Sequence, residues 1–170
     1  MAPHHHAKAV GHVSCAVVTV SDTRTPADDR SGPLIRRALE AGGHQVAVSM
    51  IVADEVDAIR GAVLEVVGRT DVQAVIVTGG TGIAPRDVTI ESLAREWTKE
   101  LPGFGEIFRA LSFAEIGAAA FLSRATAGVI AGKFVAVLPG SPTACELALE
   151  RILLPELGHL VGLLAPSPSS

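Results

Sequence analysis

The sequence predicts an α/β fold, a three-layer α/β/α arrangement around a mostly parallel sheet, and three observations predict it. Aliphatic runs of strand length recur along the chain, at 14–20, 45–52, 74–77 and 134–138. Between them, apolar residues return at intervals of three and four, the helical spacing. Such alternation of strand and helix belongs to a sheet covered by helices on both faces. Finally, hydrophobic residues make up 48% of the chain, yet it holds five Phe, one Trp and no Tyr. The core is therefore built from Val, Ile, Leu and Ala, as buried parallel strands require.

Taken in order, Ser14-Cys-Ala-Val-Val-Thr-Val20 forms the first strand, and a polar loop follows from Ser21 to Arg30. Leu34, Ile35, Ala38 and Leu39 then mark a helix, with Pro33 in its first turn and Gly42-Gly43 closing it. Gln45–Val52 is the second strand. A helix opened by Asp54 follows, its apolar stripe made by Val56, Ile59, Val63, Val66 and Val67. Ala74-Val-Ile-Val77 is the third strand and runs into Thr78-Gly-Gly-Thr-Gly82. Helical stretches cover about 89–97 and 103–116. Phe134–Leu138 is a late strand, followed by Pro139-Gly-Ser-Pro142 and helix to about residue 164, with Pro155 as a break within it. These elements make a single domain at 13–164, with flexible tails at 1–12 and 165–170.

Composition limits the function. Fourteen basic and eighteen acidic residues leave a net charge of −4, against a protein that grips a nucleic-acid backbone, which needs clustered Lys and Arg. No apolar run reaches the length of a membrane span, and the first residues lack the apolar region of a secretory signal. Cys15 and Cys145 are isolated within apolar segments, which fits a reduced, cytoplasmic setting. The run His4-His5-His6 is better explained as a tag-like tail than as a metal site.

In a sheet of this kind ligands bind at the carboxyl ends of the strands, where strand order reverses. That directs attention to the loops after Val20, Val52, Val77 and Leu138. The loop 78–82 has three glycines in five residues, enough for backbone N–H groups to turn inward onto a phosphate. It is neither a P-loop, since Gly132-Lys133 is followed by Phe134, nor a dinucleotide fingerprint, since Pro85 occupies the last small-residue position and no ribose-binding acid follows. Asp87, beside Arg86, has the chemistry of a Mg²⁺ ligand with a phosphate-facing cation; equally, Asp87 or Thr89 would cap the next helix. Asp54 has the same two readings. Ser21 and Asp22 share this rim. Thr143-Ala-Cys-Glu146 matches a capping box, and the helix start after Pro139-Gly140-Ser141-Pro142 would attract an anion. Arg109, Arg124 and Lys133 are candidate cations.

Together these strings resemble the MoaB/MogA family of molybdenum cofactor biosynthesis. The resemblance rests on Val18-Thr-Val-Ser-Asp22, Thr78-Gly-Gly-Thr-Gly-Ile-Ala-Pro-Arg-Asp-Val-Thr89, Pro102-Gly-Phe-Gly-Glu106, Leu122-Ser-Arg-Ala125 and Leu138-Pro-Gly-Ser-Pro142, and Gly103–Gly117 is closer to the MoaB branch. It implies a molybdopterin-binding fold and Mg²⁺-dependent adenylyl transfer from ATP to molybdopterin, giving adenylyl-molybdopterin and pyrophosphate. Non-catalytic pterin binding is the alternative. It also implies Asp54 and Asp87 as central carboxylates holding Mg²⁺. Phosphate and substrate contacts would come from Ser21, Asp22, Thr78, Gly79, Gly80, Thr81, Gly82, Arg86, Thr89, Ser123, Arg124 and Pro139–Pro142. A homotrimer or homohexamer, and a molybdenum insertase as partner, are further implications.

Overall fold

The computed structural model describes residues 9–166; the His4–His6 run and residues 167–170 lie outside the described residues. Strands β1 (Ser14–Val20), β2 (Gln45–Val52), β3 (Ala74–Thr78), β4 (Lys99–Glu100), β5 (Thr126–Ile130) and β6 (Lys133–Leu138) form one sheet in the order β2-β1-β3-β6-β5-β4. The first four in that order are parallel, β5 is antiparallel to β6, and β4 is antiparallel to β5. The helices are α1 (Ser31–Ala41), α2 (Val56–Val67), α3 (Thr89–Leu93), α4 (Pro102–Ile116), α5 (Pro142–Ala148) and α6 (Leu154–Leu164).

The sheet is buried on both faces because its central strands are apolar at nearly every position, with polar Ser14, Thr19 and Thr78 buried among them. Cys15, Val17, Ile76, Ala136 and Leu138 point to one layer, where Ile35 and Leu39 of α1, Phe108 of α4 and the α5–α6 region pack. Ala16, Val18, Val75, Val77, Val135 and Val137 point to the other, against Ile59, Val63 and Val66 of α2 and Leu93 of α3. Each fully buried aliphatic side chain of this kind contributes about 1.5–3 kcal/mol. The three-layer α/β/α architecture is thus the one the sequence predicts.

Chain direction makes the functional crevice. From β1 the chain crosses to β2 on one side, then returns to β3 on the other, so strand order reverses between β1 and β3. The loops leaving these strands diverge and open a space at their carboxyl ends.

Several local features depart from the sequence reading. Residues 10–12, assigned to a tail, are held: the Val10 N–H donates to the Gly158 carbonyl at 3.0 Å, and His12 Nδ1 lies 2.7 Å from the Gly43 carbonyl. The helix that begins at Pro142 does not break at Pro155. A π turn at Leu149–Leu153, in which the Leu154 N–H bonds to the Leu149 carbonyl, places Pro155 in a first turn where its missing N–H disrupts no ladder. The cap of α5 is Ser141, whose hydroxyl accepts from the Ala144 N–H at 3.2 Å; Thr143 lies inside the helix, so the Thr143–Glu146 capping box is not formed.

Strands β5 and β6 join through Ala131-Gly132, both at positive φ (47° and 76°). This two-residue loop requires the left-handed region at each position, a type I′ geometry that suits Asn-Gly far better than Ala-Gly. Ala131→Asn is therefore expected to stabilise the protein by roughly 0.5–1 kcal/mol. Urea denaturation would register this as a higher midpoint at unchanged slope, and an unchanged or lower midpoint would contradict the strain assigned to Ala131.

Candidate functional site

Four strand ends converge on one rim. Asp22 follows β1, Asp54 follows β2, the loop 79–82 follows β3 and Pro139–Ser141 follows β6. Ser123 and Arg124 arrive on the segment leading into β5. An open cleft of about 380 Å³ lies between Gly80–Gly82, Asp87, Leu122–Ser123 and Pro139–Gly140. A slightly larger cavity, about 410 Å³, lies elsewhere, beside Val10, Gln73, Lys133 and Val161. Lys133, at the opposite end of β6, donates to the carbonyls of Val72 and Arg69 and takes no part in the site.

The glycine loop is shaped by contacts that leave no room for a side chain. Gly79 (φ 102°) and Gly80 (φ 62°) are both left-handed. A Cβ on Gly79 would strike the Val20 carbonyl oxygen, and one on Gly80 would strike the Thr89 hydroxyl and come within 2.9 Å of Asp54 Oδ1. A Cβ on Gly82 would stand 2.5 Å from Asp87 Oδ2. Buried Thr89 locks the turn, its hydroxyl donating to the Gly79 carbonyl at 2.9 Å and its N–H to the Gly80 carbonyl at 3.0 Å. Buried Thr78 donates to the Pro139 carbonyl at 2.8 Å, tying this loop to the one after β6. The N–H groups of Gly80, Thr81 and Gly82 find no acceptor among the described residues.

The two central carboxylates flank this loop, and neither is a helix cap. The first turns of α2 and α3 carry no side-chain cap. Asp87 Oδ2 accepts from the Ala84 N–H at 3.0 Å, closing the turn 84–87. Asp54 Oδ1 is buried with no hydrogen-bond partner. Burial raises the Asp54 carboxyl above its ordinary value, helped by the negative charges of Asp87 and Asp22 and opposed by the Val88 N–H and by Arg86. Asp22 behaves oppositely: it pairs with Arg86 and accepts the Asp54 N–H at 2.9 Å, which together hold its carboxyl low.

Among the described residues, no three His, Cys, Asp or Glu side chains converge as a self-sufficient metal cage. Mg²⁺ does not need one, because it is usually bound through one or two carboxylates together with substrate phosphates. The orphaned oxygen of Asp54, close to a second carboxylate across the glycine loop, fits that donor set.

The remaining residues singled out from the sequence have mixed roles. Arg124, expected to face substrate, is spent on the protein: Nε donates to the Thr81 carbonyl (3.1 Å), and Nη2 donates to the carbonyls of Gly82 (2.6 Å) and Asp87 (3.2 Å), while Nη1 pairs with Glu91. Ser21 accepts from the N–H groups of Thr23 and Arg24 and shapes its own turn. Ser141 and Pro142 begin α5, and Gly140 sits against Gly79. Arg86 remains at the rim, with its side chain 65% exposed.

Sequence reasoning missed a second support. Ser31 Oγ and Arg24 Nη2 both donate to the Gly140 carbonyl, at 2.8 and 3.2 Å, and Asp29 accepts from the Thr19 hydroxyl and from the N–H groups of Ser31 and Gly32. Its only signal was an Asp just before a Pro-containing helix start.

Because Asp54 binds its proton more tightly in the folded protein than in the unfolded chain, its ionisation costs stability. That cost is absent below the ordinary carboxylate pKa of 3.8 and complete once the pH exceeds the raised value. Asp54→Asn is expected to raise Tm at neutral pH in magnesium-free buffer, with the gain fading as the pH falls through the carboxylate range. A Tm that is lower, or raised equally at acid pH, would contradict this account of Asp54.

Comparison with known proteins shows the family and the fold. Residues 16–159 match the family described as Probable molybdopterin binding domain. Molybdenum cofactor biosynthesis protein B of Halalkalibacterium halodurans is 52% identical over 158 residues, covering 92% of this chain and 93% of that one. A crystal structure of a molybdenum cofactor biosynthesis protein B superposes with a TM-score of 0.88 at 47% identity, over 90% of this chain and 96% of that one. The tungsten cofactor synthesizing protein MoaB from Pyrococcus furiosus does so with a TM-score of 0.81 at 39% identity, over 89% and 96%. The chain belongs to the MoaB/MogA family of molybdenum cofactor biosynthesis proteins, within which its curated relatives carry the protein B name.

Proposed function

We propose that the protein is a molybdopterin adenylyltransferase, joining ATP and molybdopterin to give adenylyl-molybdopterin and pyrophosphate with Mg²⁺. The observation that carries this reading is the run of unbonded N–H groups at Gly80, Thr81 and Gly82, residues that line a cleft together with Asp87, with Asp54 close beside Gly80. Oriented backbone N–H groups in a left-handed glycine turn bind phosphate oxygens without any cationic side chain.

In the reaction, a terminal phosphate oxygen of the pterin forms a bond to the α-phosphorus of ATP. The bond from that phosphorus to the bridging oxygen breaks, and pyrophosphate leaves with the electron pair. The attacking phosphate has a second pKa of about 6 and is largely ionised at neutral pH, so no general base is required. The demand is for alignment of two anions, which the rigid N–H array meets. Mg²⁺ at Asp54 and Asp87 would neutralise phosphate charge and stabilise the leaving pyrophosphate. Arg86 can exchange Asp22 for a phosphate oxygen at little cost, because the pair is exposed.

The test is a single-turnover assay with α-labelled ATP, molybdopterin and Mg²⁺. Pterin-dependent adenylate transfer is expected, falling by at least about a hundredfold in both Asp54→Asn and Asp87→Asn while pterin binding persists. If the wild-type chain binds molybdopterin but transfers nothing, it is a pterin-binding or carrier protein of the same pathway.

We further propose a homotrimer or homohexamer in the cytoplasm that passes its product to a molybdenum insertase. Exposed Phe113, Ile116 and Phe121, at 62%, 61% and 76%, support burial by association, and no helix among the described residues is long and apolar enough to cross a membrane. Light scattering on the eluting protein should give three or six chains per particle; a monomer at micromolar concentration would refute the assembly.

A further inference from the structure

The half-buried guanidinium of Arg109 pairs with no carboxylate among the described residues. Instead it is aimed at backbone. Nη1 lies 3.4 Å from the Ser123 carbonyl and 3.3 Å from the Ala125 carbonyl, the two residues on either side of Arg124. The side chain reaches them by lying along α4 over Gly105, one helical turn earlier. A Cβ on Gly105 would stand 2.8 Å from the Ala125 carbonyl oxygen and from both terminal nitrogens of Arg109. A glycine in a helix interior is destabilising relative to alanine, so this position needs a compensating reason. Clearance for the guanidinium and for the Ala125 carbonyl it holds supplies it.

We propose that Arg109 is a positioning residue for the candidate active site, holding the segment 123–125 so that Arg124 can brace the turn that presents Asp87. The two arginines work in series. Arg109 takes the carbonyls of 123 and 125, and the side chain between them extends the other way to the carbonyls of Thr81, Gly82 and Asp87. Ser123, whose carbonyl Arg109 holds, also lines the cleft. Loss of Arg109 frees Ser123 and the base of Arg124, and the turn 81–87 loses a fixed support although none of its own residues is changed.

The catalytic arm of the test rests on the adenylyl-transfer reading, so a second arm does not depend on it. In Arg109→Met, amide hydrogen exchange at Ala84 and Asp87, the bonded amides of this turn, should accelerate about tenfold while β1 and β3 keep their protection. Single-turnover transfer should fall about tenfold in rate, with the ATP concentration dependence changed much less. Arg109→Lys, which keeps one donor, should recover part of both effects. Gly105→Ala, whose added Cβ crowds both the guanidinium and the Ala125 carbonyl, should reproduce them. Unchanged exchange at Ala84 and Asp87 in Arg109→Met would overturn the proposal. If Arg109→Met fails to fold, the Arg109→Lys and Gly105→Ala exchange profiles decide it alone. Absence of transfer by the wild-type protein would overturn the adenylyl-transfer reading and leave the exchange result to judge Arg109.

Discussion

The site depends on one close approach of backbone to backbone at the reversal point of the sheet. Gly79 lies so near the last residue of β1 that a single Cβ would collide with the Val20 carbonyl, and Gly140 sits against Gly79 from the other side. Three strand ends, those of β1, β3 and β6, are thereby brought to a common point with no side chains between them. Cross-braces keep them there: Thr78 to the Pro139 carbonyl, Thr89 to the Gly79 and Gly80 carbonyls, and Ser31 with Arg24 to the Gly140 carbonyl. Every brace ends on a backbone carbonyl. The N–H groups of Gly80, Thr81 and Gly82, in the loop these braces hold, are left without acceptors among the described residues, and all three residues line the cleft.

This arrangement carries an electrostatic cost that folding alone does not explain. Asp22, Asp54 and Asp87 are close enough that the charges of the other two raise the Asp54 carboxyl, and its buried oxygen has no donor. A chain selected only for stability would fill that position with an amide or an apolar residue, because a buried unsatisfied carboxylate is unfavourable. Retaining it makes sense where a cation and a polyanion complete the charge balance during function. The same logic explains why the nearest guanidinium, Arg86, is tied to Asp22 rather than to Asp54: it lowers the local negative charge without quenching the oxygen that matters.

Much of the fold was legible because the parallel strands are apolar on both faces and end at glycine- and proline-rich loops. Strands β1 and β2 have the bounds the sequence indicated, and β3 and β6 differ from them by one residue. By contrast, β5 is Thr-Ala-Gly-Val-Ile and β4 is two charged residues, so neither carries a β-branched or alternating signal long enough to register; tertiary pairing with β6 creates them. At the site, the placing of Asp54 and Asp87 on one rim was legible, since both follow strands, β2 and β3, whose carboxyl ends a parallel sheet turns to the same side, with β1 between them. Their freedom from capping was not, because an Asp before a helix looks the same whether or not its oxygen meets the N–H groups. Arg124 was misjudged for a related reason. A cation near an anion site invites a ligand role, and only coordinates reveal that its donors are already engaged.

The distribution of arginines then determines how a phosphate can be held. Arg24 is directed to Gly140 and Asp29, Arg109 to Ser123 and Ala125, and Arg124 to Thr81, Gly82, Asp87 and Glu91. These guanidiniums stabilise the backbone that forms the cleft, and their charge is spread over carbonyl oxygens rather than presented to solvent. On the proposed function, a ligand phosphate would therefore meet backbone N–H dipoles in a largely acidic surrounding, with Arg86 as the exposed guanidinium at the rim. On the proposed reaction, such a surface would discriminate against simple polyanions, which the carboxylates repel, and would favour a phosphate that arrives with its own divalent counter-ion. The glycines supply the dipoles, the carboxylates supply the selectivity, and the arginines hold both in register.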